Sequence, residues 1–149
     1  MYFVDLDCYQ IEGYHCLAQN ITFQPPEFQM TGIKKRLYTQ QTENYEIAEL
    51  VFMLLMPGKL PYAKEKNMDM AKSIANMRFP FSWYGQSGAK EVDRPSGRWR
   101  FVWSHLGILK GDFYNTFMNN REFNAPDKRK SAHFWIREVR KLRKELENP

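Results

Sequence analysis

Two aspartates near the N-terminus, Asp5 and Asp7, are the first residues whose type and spacing could do chemistry. Side chains alternate along extended backbone, so Asp5 and Asp7 share one side of a strand with Phe3 and Tyr9, and Val4, Leu6 and Cys8 take the other. Carboxylates so placed suit a hard divalent cation, which takes oxygen ligands. Acids at a sheet edge can equally be solvated. Cys8, His15 and Cys16 are zinc-type donors, but a fourth ligand and the short C-x-x-C pairing are absent, and core positions are the better reading. His105 and His133 have no catalytic partner at helical spacing and read as structural. No serine or cysteine sits beside a credible base, so nucleophilic hydrolysis has no support. At the other end Arg137, Arg140, Lys141, Arg143 and Lys144 cover one side of a basic helix. Such a row could follow a phosphate backbone. Glu138, Glu145 and Glu147 interleave with it, however, and Lys141/Glu145 and Arg143/Glu147 stand at i, i+4. That pattern favours a solvated face, and nucleic acid is not the expected partner.

The elements that position these residues are mostly helical. Residues 2–11 read as extended, and the abrupt start implies that something once preceded this strand. Residues 12–42 hold Gly13, Pro25, Pro26 and Gly32 and read as loop with short helical turns; a loop that long in a compact domain is usually functional. Residues 44–56 form the strongest helix, with Ile47, Leu50, Val51, Leu54 and Leu55 at i, i+3, i+4, i+7, i+8. Phe52, Met53 and Met56 fill its other faces, and a helix apolar all round is a buried one. Glu43 and Glu46 fall in its first turn, where the dipole favours acids, and Pro57-Gly58 ends it. A short helix follows over 69–77, with Met70, Ile74 and Met77 inward. Residues 82–98 read as polar loop, 99–106 pack aromatics, and 109–118 look helical through Phe113 and Phe117. The last helix starts from Ser131 as N-cap, with Trp135, Val139, Leu142 and Leu146 as its apolar stripe.

Composition sets the outer bounds. The 149 residues fit one domain, 1–149, able to bury roughly 70% of its unfolded surface without staples. Apolar content of 43% and charged content of 26% exclude wholesale disorder. A net charge of +5 permits a phosphate-bearing partner without arguing strongly for one. The longest apolar run, residues 50–56, is far short of the roughly 20 residues that span a bilayer. Two cysteines make no disulfide framework, so a reducing cytoplasm is the expected location.

Read in order, Val4-Asp5-Leu6-Asp7, Tyr14-His15-Cys16, Pro25-Pro26-Glu27 and Pro57-Gly58-Lys59-Leu60-Pro61-Tyr62 resemble the C-terminal lobe of a Hanks-type protein kinase. The later Trp103-Ser104-His105-Leu106 and Phe113-Tyr114-x-x-Phe117 are also similar to divergent bacterial serine/threonine kinase-like proteins, and the likeness runs from residue 2 to about Trp135. It implies a mainly α lobe around a buried central helix, with a metal-aspartate segment and activation loop in 1–30 and a helical subdomain in 31–149. It also implies that Asp5 binds Mg²⁺ bridging ATP phosphates, with Asp7 where many kinases have glycine. Gln19, Asn20, Pro25 and Pro26 then belong to the substrate-positioning loop. Glu27 matches the glutamate of the Ala-Pro-Glu motif and Arg129 its structural partner.

The departures shape the expected function. The glycine-rich loop, the ATP lysine and the catalytic-loop aspartate are not in this chain. Gln19-Asn20 stands where related sequences have Gly-Thr, and Glu43, beside Asn44, stands where the central helix opens with aspartate. An intact parent would transfer phosphate from Mg-ATP to protein Ser/Thr. This chain alone is expected to bind neither ATP nor Mg²⁺ usefully and to be catalytically silent. Its expected partners are the missing N-terminal lobe, a protein partner bound as to a pseudokinase-type module, or a second copy through an apolar face around Phe3, Val4 and Leu6.

Overall fold

The computed structural model describes residues 10–14, 20–29, 37–64, 69–83, 95 and 97–148. Among the described residues six α-helices follow in chain order: α1 (Pro26–Gln29), α2 (Gln40–Leu55), α3 (Met70–Ala75), α4 (Gly97–Ser104), α5 (Leu109–Phe117) and α6 (Ala132–Glu147). Short 3-10 turns, Ile21–Phe23 and Pro126–Lys128, precede α1 and α6. An isolated bridge pairs Ile11 with Tyr14. The chain is therefore mainly helical. Most of the extended segment expected over 2–11, and the division expected near residue 30, lie outside the described residues.

Helix α2 begins four residues before the start the apolar spacing suggests, because Thr39 caps it. Its hydroxyl accepts from the Thr42 amide at 3.3 Å, while the Thr42 hydroxyl accepts from the Thr39 amide at 3.3 Å, a reciprocal box that satisfies two end groups at once. At the far end Gly58, at φ +75°, turns the chain where a side chain would be strained. Helix α2 is not buried all round, as its apolar faces suggest; Ile47, Val51 and Leu55 are partly buried against the core. Tyr45, Ala48, Glu49, Phe52 and Met56 point into the core, whereas Leu50 is 51% and Leu54 78% exposed. A helix apolar on two sides can bury only the side that has neighbours, and here those neighbours are aromatic.

Phe52 is fully buried and surrounded by rings, with centroids of Phe113 at 5.2 Å, Phe81 at 5.5 Å, and Phe79 and Phe117 both at 5.9 Å. Most meet edge to face, the arrangement the ring quadrupole favours. Trp135 of α6 stacks on Phe113 of α5 at 5.0 Å, and the Tyr62 hydroxyl donates to the Phe117 carbonyl at 2.8 Å. One core cluster thus draws on residues from Tyr45 to Leu142. In α6, Trp135 and Leu142 are buried and Val139 is half-buried, but Leu146, expected inward, is exposed.

Candidate functional site

The segment that carries Glu27 is fastened at several points. Asn20 accepts from the amide and hydroxyl of Thr22, at 3.1 and 2.7 Å, and starts the first 3-10 turn. Gln29 folds its amide back to the carbonyls of Ile21 at 2.7 Å and Gln24 at 3.2 Å. Pro25 is buried and Pro26 opens α1, where a missing N–H costs nothing. Phe28 meets Tyr38 edge to face at 5.5 Å, and Gln10 exchanges side-chain hydrogen bonds with both backbone groups of Tyr38. Helix α1 packs on α3.

Across 102 positions of sequence, the guanidinium of Arg129 meets the carboxylate of Glu27 in a two-pronged pair. Nη1 donates to Oε1 at 2.8 Å and Nη2 to Oε2 at 2.7 Å. Nη1 also donates to the Gln41 carbonyl at 3.1 Å, and the guanidinium lies 5.1 Å from the centre of the Tyr45 ring. The arginine side chain is 2% exposed and the glutamate 35%. Arg129 follows the 3-10 turn Pro126–Lys128, so one fixed fork joins the residue 20–29 segment, the first turn of α2 and the lead-in to α6. Planar bidentate geometry is what arginine offers and lysine does not.

The other expected site residues separate from this pair. Asp5, Asp7 and Gln19 lie outside the described residues, as do Cys8, His15 and Cys16 and the expected apolar face of Phe3, Val4 and Leu6. Among the described residues no group of three His, Cys, Asp or Glu side chains gathers for a metal. His105 is exposed, its Nδ1 within 2.9 Å of the Phe101 carbonyl and its ring 4.4 Å from that of Phe101. His133 is exposed too. On α6, Arg137 and Lys141 both close on the buried Glu138, at 2.8 and 2.9 Å, and Arg143 on Glu147 at 2.7 Å. The i, i+4 partner expected for Lys141 is replaced by Glu138, one turn back. Burial works against the Glu138 charge, but the hydrogen bonds from Lys141 and Arg137 outweigh it and hold its carboxyl below the usual range.

Of the acids on α2, the sequence reading named Glu43 and Glu46 as first-turn residues and missed Glu49. Glu43, Glu46 and Glu49 stand three residues apart, and the helix start moves Glu46 out of the first turn. Burial, and then the charge of Glu43, push the Glu46 carboxyl up to about 7. Glu49 is fully buried, with neither carboxylate oxygen hydrogen-bonded; burial and then Glu46 raise it well above the ordinary range. A neutral acid is the form such a site tolerates. The signal was a glutamate inside an otherwise apolar run. Between α4 and α5 a recess of about 690 Å³ is lined by Trp83, Trp103, Asn115 and Asp112, with Arg100 and Lys110 alongside. Burial, then the charge of Glu138, bring the Asp112 carboxyl up to about 6 despite Lys141, Lys130 and Arg137.

No helix of the described residues is long and apolar enough to cross a membrane. Comparison with protein-family models, curated proteins and solved structures gave no match.

Proposed function

We propose that this chain is the C-terminal lobe of a serine/threonine protein-kinase-like protein, a lobe that holds a substrate-positioning loop rather than transferring phosphate itself. The observation that supports this best is the two-pronged fork between Glu27 and the buried Arg129. The resemblance named that pair from two short motifs 102 positions apart, and the fork ties the end of the loop to the central helix. In an intact parent the reaction would be transfer of the γ-phosphoryl of Mg-ATP to protein Ser/Thr, with Asp5 as a metal ligand. Mg²⁺ would supply charge neutralisation at the phosphates, and the residues of this chain would place the acceptor. One metal ligand gives neither the positioning nor the charge stabilisation that transfer needs, so the isolated chain is silent.

Paramagnetic broadening tests the reading without requiring activity. The chain alone is not expected to hold ATP or Mg²⁺ tightly, but excess Mn²⁺-ATP in weak, transient contact with the labelled chain should broaden the amide signals around Asp5 first, and Asp5→Asn should remove that selectivity. Broadening spread over surface carboxylates, or unchanged in the variant, would sink the assignment.

A second reading, a pseudokinase-type interaction module, is favoured by the exposed apolar side of α2. Nucleic-acid binding by α6 has less support, because Arg137, Lys141 and Arg143 are each engaged by a glutamate.

A further inference from the structure

Helix α2 presents a second apolar side that the fold leaves open. Ile47, Val51, Leu54 and Leu55, four of the residues at helical apolar spacing, form one wall of a groove of about 430 Å³. Trp135, Ile136 and Val139 of α6 form the other. Leu54 is 78% and Ile136 47% exposed, so the groove is a surface feature rather than a flaw in the core. From Ile47 to Leu55 it follows two turns of α2, about 12 Å.

The chemistry of the rim selects the occupant. Arg140 and Arg143 line the groove, and among the described residues no acid does. Beyond Arg140 a smaller recess of about 220 Å³ is walled by Arg137, Lys141 and Lys144, so positive charge continues along that edge. The ion pair of Arg143 with Glu147 is exposed on both sides and exchanges readily for another carboxylate. Two packed helices leave a trough shaped for a third, whereas an extended peptide needs an open strand edge, and no strand lines this one. A second copy of the chain would bring the same arginines against themselves across a two-fold contact, on a molecule already at +5.

We infer that the α2–α6 groove is a docking site for an amphipathic helix from a partner protein, with leucine-type residues on its buried side and acids along the edge that faces Arg140 and Arg143. The inference stands on this face alone and does not require the kinase-like reading.

The probe is a fluorescein-labelled synthetic helix of about 18 residues, with leucines at i, i+3/i+4, i+7 and glutamates flanking them, read by anisotropy on the full chain. A version with lysines for glutamates serves as its counterpart. The acidic peptide should bind at least tenfold tighter than the basic one, roughly 1.4 kcal/mol. Leu54→Gln and Arg140→Glu, both at exposed positions, should each weaken it about tenfold with unchanged circular dichroism, and added salt should weaken it further. Equal binding of the two peptides, or indifference to both substitutions, overturns the inference. So does a chain that sediments as a dimer dissolved by Leu54→Gln, since the occupant is then a second copy. Binding of anionic vesicles that depends on Arg140 and Arg143 without peptide binding would move the site to a lipid surface.

Discussion

Arg129 and Glu49 are both charged-type residues removed from water, and they are stabilised in opposite ways. Arg129 is matched by partners: Glu27, the Gln41 carbonyl and the Tyr45 ring surround it. Removing one side of such a pair strands the other, so Glu27→Gln and Arg129→Met should each cost about 3 kcal/mol in urea unfolding, and the double variant far less than their sum. Arg129→Lys should recover little, because an ammonium cannot form the fork. Simple additivity in the double-mutant cycle would mean the pair is not coupled. Glu46 and Glu49 lack any cation and are raised instead. A carboxyl raised on folding binds more protons in the folded state than in the unfolded one. Stability from Glu46 is therefore full below about pH 4.5 and is lost as pH climbs to about 7. Discounted for its partly exposed position, the loss between pH 5 and pH 8 should exceed that of Glu46→Gln by about 1 kcal/mol. Glu49→Gln should change the pH profile in the same direction, since burial raises that carboxyl too. Parallel pH profiles for the wild-type chain and Glu46→Gln would contradict the burial of this carboxyl.

At the level of the element, α2 shows what periodicity can and cannot decide. Phe52→Ala should cost about 3–5 kcal/mol, because it empties the centre of a ring cluster. Leu54→Ala should stay within about 0.5 kcal/mol, since its side chain already faces water. Chemical denaturation of the two variants separates them; equal losses would mean that both sides of α2 are buried in solution. Spacing identified the helix, its Pro57-Gly58 stop and the helices near 69, 109 and 131. It read α2 as buried all round, whereas Leu50 and Leu54 are exposed and Ile47, Val51 and Leu55 only partly covered, because hydrophobic spacing reports apolar sides without saying which one meets the rest of the chain. The missing information was tertiary: the rings at Phe79, Phe81, Phe113 and Phe117, contributed from elsewhere in sequence. Glu138 escaped for the same reason, as its burial depends on what α6 packs against. Glu27 and Arg129 were found by motif resemblance, since nothing local in either sequence points across 102 residues. Asp5, Asp7 and Gln19 fall outside the described residues, so that part of the site rests on the sequence alone.

Across the whole molecule, these helices depend on one another for burial. Helices α1, α3 and α4, at 4, 6 and 8 residues, are too short to persist alone in water, where about 12–15 residues are already marginal. Helix α6 closes the core from its far end: Trp135 covers Phe113, Leu142 is buried in the same cluster, and Arg129 leads into it. A chain cut before Ser131 would expose the Phe113 ring and its neighbours while keeping every residue of α2 and α5. Such a chain should lose its cooperative thermal transition and bind a hydrophobic dye. The complete chain should melt once, with tryptophan fluorescence and far-ultraviolet circular dichroism coincident. A sigmoidal melt from the shortened chain would place the cooperative unit within residues 1–130 and make α6 an attachment. The same result would weaken the α2–α6 groove as a docking site, since that groove needs α6 held firmly against α2.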